Sequence, residues 1–313
     1  KRMMAWYRLV RYWSSMRFDD HRGMLPSRLK LLGSGLRGTL VRTKTTGVGK
    51  GRETLDLVVD RGAFLFHEQW LTVGWELWES VDKNRDYFLG VPAHDMQSMR
   101  LIEASYGQAT AMSRALLLDM RSPGGGPVFK QPVAVEFWTE HSDRAGLPSM
   151  AGCLASIPPE WIEDLGNWVG SSTNKTSAAY IRTHLARVRS IQCSVAEAAR
   201  ENGKLDAEEL WSSFTDFWLK HEVAADDVVE QVVELAVILS RARASHARKQ
   251  SDAIAAAAPV QSDVADQPGA VEDEWVEEAP VTPSHWVHHE APDIGAFVVS
   301  VRQGFKRLHR VGD

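Results

Sequence analysis

Two short alternating runs set among helical patterns constrain this chain most. Thr39-Leu40-Val41-Arg42-Thr43-Lys44 and Leu55-Asp56-Leu57-Val58-Val59 are rich in β-branched residues. The turn-forming stretch Gly47-Val48-Gly49-Lys50-Gly51 joins them. Alternation at period two, broken by glycine, predicts a β-hairpin with Lys44, Lys50 and Arg52 around its tip. Helical periodicity surrounds this one hairpin, so the expected fold class is α+β, mainly helical, with a small antiparallel β-sheet.

The helical signals begin at the first residues. Met3, Trp6, Tyr7, Val10, Trp13 and Met16 recur at three- and four-residue steps, predicting an amphipathic helix over 2–16. Further helices are expected over 67–81, 95–121, 129–139, 141–156, 158–168 and 173–192. The breaker Ser122-Pro123-Gly124-Gly125-Gly126 ends the long one, and Pro158-Pro159 suits a helix start, where a missing N–H costs nothing. Residues 205–247 read as two added amphipathic helices. From 248 to 293 the chain is rich in Ala, Pro and acidic residues, as expected of a disordered acidic linker. A short basic tail over 294–313 closes it. The expected division is therefore a domain over 1–194, a helical pair over 195–247, the linker and the tail.

With 44% hydrophobic residues a core of ordinary size is available, and no apolar run approaches the roughly 18–20 residues that cross a bilayer. No membrane partner is expected. The opening Lys1-Arg2-Met3-Met4 leads into an amphipathic pattern unlike a signal peptide, and a start on lysine reads as part of a longer protein. Cys153 and Cys193 lack metal-ligand spacing and read as reduced thiols of an intracellular protein. His285, His288 and His289 stand in a polar tail without other ligands, so no metal site and no cofactor are expected. The net charge of −5 hides an asymmetry: residues 1–194 carry 25 Lys/Arg against 19 Asp/Glu, a net of +6, and residues 195–313 carry 11 against 22, a net of −11. A basic front half points toward a polyanionic partner.

The chemistry concentrates in Glu140-His141-Ser142-Asp143-Arg144-Ala145-Gly146. His141 and Arg144, three apart on a helix, share a face; one moves protons near neutral pH and the other forks onto phosphate. Downstream come Trp168 and the run Tyr180-Ile181-Arg182-Thr183-His184. Upstream come Ser15-Met16-Arg17-Phe18-Asp19-Asp20 and the hairpin with Lys44. The order Arg, hairpin Lys, His-x-x-Arg, Trp, Tyr resembles the tyrosine recombinase and phage integrase family over residues 1–192. In style it is nearest to recombinases of eukaryotic mobile elements such as DIRS-type retroelements and cryptons. The resemblance starts at residue 1, without the N-terminal helical domain that clasps the other side of DNA in that family. In the first box Ser15-Met16 stands where the family carries Gly-Leu.

The resemblance implies the recombinase catalytic-domain fold and a role for each residue. Arg17 becomes the first catalytic arginine, with Arg22 its nearest rival, and Asp20 the acidic residue that helps hold it. Lys44 protonates the leaving 5′ oxygen, with Lys50 the competing hairpin lysine. His141 and Arg144 form the central box, Trp168 packs on the phosphate, and Tyr180 is the nucleophile. Arg42, Lys50, Arg52 and Arg182 are expected to contact DNA.

Two arginines can clamp the charge gathering on an attacked phosphodiester. A tyrosine hydroxyl, with a pKa of about 10, needs such help to ionise. The implied activity is site-specific DNA recombination and integration through a 3′-phosphotyrosine intermediate, independent of metal and ATP. The implied partner is double-stranded DNA, bound by a homotetramer, inside the cell and in the nucleus if the host is eukaryotic. A domesticated, inactive domain that only binds DNA or protein, and a type IB topoisomerase-like enzyme, are the alternative readings.

Overall fold

A computed structural model describes residues 1–41, 54–94, 98–122, 124–130, 133–165, 184–201 and 208–257. It divides the chain into two units, Lys1–Arg243 and Ala244–Asp313. The first unit is α+β and mainly helical, with two small antiparallel sheets.

Helix α1, Arg2–Ser14, is central to the first unit's core. Met4, Trp6, Tyr7, Val10 and Trp13 are buried along it, as the three- and four-residue spacing demands. Arg11 lies on the same buried face, where the hydrophobic pattern gave no reason to place it. Next come α2 (Phe18–His21), β1 (Lys30–Leu32), β2 (Gly35–Leu40) and β3 (Leu55–Asp60). The three strands form one sheet in the order β1-β2-β3, with Leu40 opposite Leu55 and Gly35 opposite Asp60. The expected hairpin is present; β2 starts earlier than the alternation suggested, and β1 adds a third strand. The tip, 42–53, lies outside the described residues.

Helix α3 (Trp70–Glu79) packs on α1 where Gly74 faces the Trp6 ring: a Cβ on Gly74 would stand 1.7 Å from Trp6 Cδ1. Only hydrogen fits there. Trp78 and Phe88 then stack at 4.7 Å between centroids, close to Trp6 and Tyr7.

The helix expected over 95–121 is corrected. Strand β4 (Gly90–Pro92) pairs with β5 (Met99–Glu103), and the helix, α4, covers only Tyr106–Leu118. Ser105 explains the boundary. Its hydroxyl accepts from the Gln108 N–H at 3.3 Å, and the Gln108 side chain accepts from the Ser105 N–H at 2.9 Å. This reciprocal cap fixes the start of a helix.

The helix expected over 129–139 shrinks to α5, Val133–Glu136, because Thr139 is taken as the cap of the next one. Its hydroxyl accepts from the His141 N–H at 3.3 Å, and its own N–H donates to Ser142 Oγ at 3.1 Å. Helices α6 (Glu140–Gly152), α7 (Pro159–Leu165) and α8 (His184–Arg200) complete the core. The boundary expected at 194/195 falls inside α8. Helices α9 (Glu208–Lys220) and α10 (Ala225–Ala257) follow.

Within the first unit these added helices pack in cis. The Gln231 side chain accepts from Lys130 N–H at 2.8 Å and donates to Val128 O at 2.9 Å, and Phe217 meets Phe137 edge-on at 5.3 Å. The linker expected from 248 begins as helix: α10 continues through an alanine-rich stretch to Ala257, where high helix propensity outweighs the lack of a packed face. The rest of that linker and the tail of 294–313 lie outside the described residues. Neither Cys153 nor Cys193 is in a disulfide. Among the described residues no helix is long and apolar enough to cross a membrane.

Candidate functional site

Arg17 stands where α1 hands over to α2. The hand-over is a Schellman turn: Met16 N–H donates to Arg11 O and Ser15 N–H to Tyr12 O, both at 3.2 Å. Ser15 therefore holds φ 50° and ψ 31°, the left-handed conformation that favours glycine. Arg17 caps α2, and Asp20 returns its carboxylate to the Arg17 backbone N–H at 3.0 Å. Burial raises the Asp20 carboxyl above its ordinary range, although that hydrogen bond and the Arg17 charge work the other way. Asp20 thus holds the main chain of Arg17. Its rival Arg22 is exposed and paired with Glu103, at 2.7 and 3.3 Å.

His141 and Arg144 lie in the first turns of α6, His141 exposed and Arg144 buried. Between them and Arg17 stands Tyr106. Its ring is 6.4 Å from His141 and 5.2 Å from Phe18, the neighbour of Arg17. The two boxes, more than a hundred residues apart, thus share Tyr106 as a neighbour.

Buried charge fastens them there. Arg11 is wholly buried and donates to the Glu140 carboxylate and main-chain carbonyl, with Asp143 Oδ2 at 3.3 Å. Arg8 takes the other Asp143 oxygen at 2.9 Å, and Ser113 donates to Glu140 Oε1 at 2.9 Å. Burial alone would strip Arg11 of its proton more easily. Tyr7, Asp143 and Glu140 more than offset this, so its pKa rises. Glu140, just before the His-x-x-Arg box, and Asp143, inside it, therefore grip the helix α1 that leads into Arg17.

Sequence reasoning missed this network. The signal was present as two matched pairs, Arg8/Arg11 and Glu140/Asp143, each three apart and so on one helical face.

Gly146 lets the two helices close. A Cβ there would stand 2.2 Å from Tyr12 Cε2.

A small hollow is lined by described residues that lie near the remaining expected positions in sequence. Its lining includes Ser14 and Met16 beside Arg17, Leu40 and Asp56 on the hairpin strands, and Leu165 and His184. Leu165 and His184 bound the stretch 166–183. The expected site residues Lys44, Trp168 and Tyr180, and the expected DNA contacts Arg42, Lys50, Arg52 and Arg182, lie outside the described residues. So do His285, His288 and His289. Among the described residues no three His, Cys, Asp or Glu side chains gather as a metal ion would require.

Comparison with protein-family models, curated proteins and solved structures finds no match for this chain.

Proposed function

We propose that this chain is the catalytic domain of a tyrosine recombinase, with Tyr180 as nucleophile. One observation carries the reading. The residues that flank Arg17, the strands that lead to Lys44, and both ends of the stretch bearing Trp168 and Tyr180 line a single hollow. The core packing of Met16, Leu40, Leu57, Leu165 and Val188 brings these flanks together, and a shared substrate would use the same convergence. Ser15 adds support: it occupies the glycine position of the family's first box and carries the backbone conformation that glycine is used for.

In this reading Tyr180 Oη attacks a DNA phosphorus and its proton passes to His141. Arg17 and Arg144 hold the non-bridging oxygens, and Trp168 packs on the phosphate and donates its indole N–H. The P–O bond to the 5′ oxygen breaks, Lys44 protonates that oxygen, and a 3′-phosphotyrosyl bond is left. A 5′ hydroxyl from a partner strand then attacks the same phosphorus, expels Tyr180 and reseals the DNA. Bond energy is conserved throughout. Exchange between two duplexes calls for a homotetramer on double-stranded DNA, acting inside the cell and in the nucleus if the host is eukaryotic.

Incubation with nicked suicide duplexes drawn from a random pool, followed by denaturing electrophoresis, tests this. A DNA-linked band in the wild type that is lost in Tyr180→Phe is the expected result. A band retained by Tyr180→Phe overturns the nucleophile. Salt-sensitive DNA binding without any band favours a domain that binds but no longer cuts.

A further inference from the structure

Gln192 is wholly buried in α8, and every polar atom of its side chain is engaged. Its Oε1 accepts from Asp60 N–H at 2.7 Å; its Nε2 donates to Val58 O at 2.9 Å and to Trp13 O at 2.7 Å. The first two partners lie on β3, an edge strand of the sheet order β1-β2-β3, so the side-chain amide takes the place of one residue of a fourth strand. The third is a carbonyl in the last turn of α1, where helix geometry leaves oxygens without an intrahelical donor.

We propose that Gln192 is a positioning residue of the recombinase site, an inference that rests on the reading above. The three elements that it joins, α1, β3 and its own helix α8, each continue along the chain toward a residue of the proposed site. Trp13 precedes Arg17 by four residues. Strand β3 is the return arm of the hairpin that carries Lys44. Helix α8 begins at His184, four residues after Tyr180. The apolar side of α8, with Val188, Ile191 and Val195 buried, holds the helix down but does so without direction. Hydrogen bonds are directional, and buried ones are costly to leave unmade. The amide of Gln192 is what fixes the ends of α1 and β3 against the helix that follows the nucleophile.

The test compares wild type with Gln192→Glu and Gln192→Leu in the full chain. It reads thermal midpoint, duplex affinity, the rate of covalent capture at saturating suicide duplex, and hydrogen exchange at the Asp60 amide. Folded variants should bind duplex within a fewfold of wild type yet capture it about 10²-fold more slowly, the scale of a small misplacement at a reacting centre. Glutamate is nearly the same shape but presents a carboxylate to two carbonyl oxygens. Burial and those oxygens raise its pKa, so its capture rate relative to wild type should recover as pH falls and one O–H donor returns. Leucine should show no such recovery. Both variants should speed exchange at Asp60. Wild-type capture rates in folded Gln192→Glu and Gln192→Leu would overturn the proposal. Should the wild type capture no duplex, the recombinase reading fails by itself, and the Asp60 amide then decides: faster exchange in the variants upholds Gln192 as the tie, unchanged exchange removes it.

Discussion

Arg11 and Glu140, 129 positions apart, meet in a fully buried contact in which one guanidinium binds both the carboxylate and the main-chain carbonyl of its partner. This contact joins α1, whose end leads into Arg17, to α6, which carries His141 and Arg144. It works as a positioning device because both charges are out of water and neither can turn elsewhere without losing its partner.

Arg11→Met should therefore destabilise the fold by about 3–5 kcal/mol, since Glu140 would stay buried with its counter-charge gone and Asp143 would lose one of its two arginines. Arg8→Ala should cost less, because Arg8 keeps some solvent and its partners are Asp143 and the face of the Trp138 ring. Urea unfolding of the two variants checks the order; equal losses would contradict it.

Ser15→Gly should stabilise. The residue sits at positive φ, a conformation that costs a non-glycine residue roughly 1 kcal/mol. Its buried hydroxyl also has no hydrogen-bond partner among the described residues. A thermal midpoint higher than wild type, with duplex capture unchanged, is the expected outcome.

Gly146→Ala should do the reverse. The new methyl would overlap the Tyr12 ring, and overpacking at a close helix contact costs about 1–3 kcal/mol. Combining it with Tyr12→Ala should give a loss smaller than the sum of the two single losses, because the clash disappears. Strict additivity in denaturant unfolding would place the two residues apart.

Cys193 should resist alkylation. Burial first, then its hydrogen bond to Asp60, pushes the thiol pKa up to about 12. A raised pKa keeps the thiol protonated at pH 8, so its thiolate fraction lies roughly three orders of magnitude below that of an ordinary cysteine. Iodoacetamide at pH 8 followed by peptide mass spectrometry should find Cys193 unmodified in the folded chain and modified once it is unfolded. Asp60 moves in the opposite sense. Burial works upward, but the Gly62 N–H, Arg189 and Cys193 together bring its carboxyl below the usual range. Its stabilising contribution is therefore present at neutral pH and is lost only as pH falls through the lowered folded value. Asp60→Asn should flatten the acid side of the stability profile.

Lys30 and Arg37 face each other across β1 and β2, both exposed and without an acidic partner among the described residues. Directly opposed like charges destabilise a sheet, so Lys30→Glu should add a few tenths of a kcal/mol, on the order of 0.5. The gain should shrink in high salt, as screening removes both the old repulsion and the new attraction.

Much of the fold is legible locally. The period of α1, the alternation of β2 and β3, and the Ser105-x-x-Gln108 cap are each written within a few residues, because helix and strand geometry repeat over that distance. The strand β5 was hidden: Met99-Arg100-Leu101-Ile102 fits a helix start as well as a strand until its partner β4 is known. Arg11 was hidden for a related reason, since a charged residue on an apolar face looks like a fault in the pattern until Glu140 and Asp143 arrive.

The sequence by itself determined which residue types are available for the chemistry, in what order, and on which local elements most of them sit. Only the tertiary structure decided that Arg11 would be buried, that Gln192 would join three elements, and that Met16, the strands β2 and β3, Leu165 and His184 would line one hollow. The physical reason is range. Periodicity is set by neighbours along the chain, whereas a buried charge or amide is stable only beside partners more than a hundred residues away.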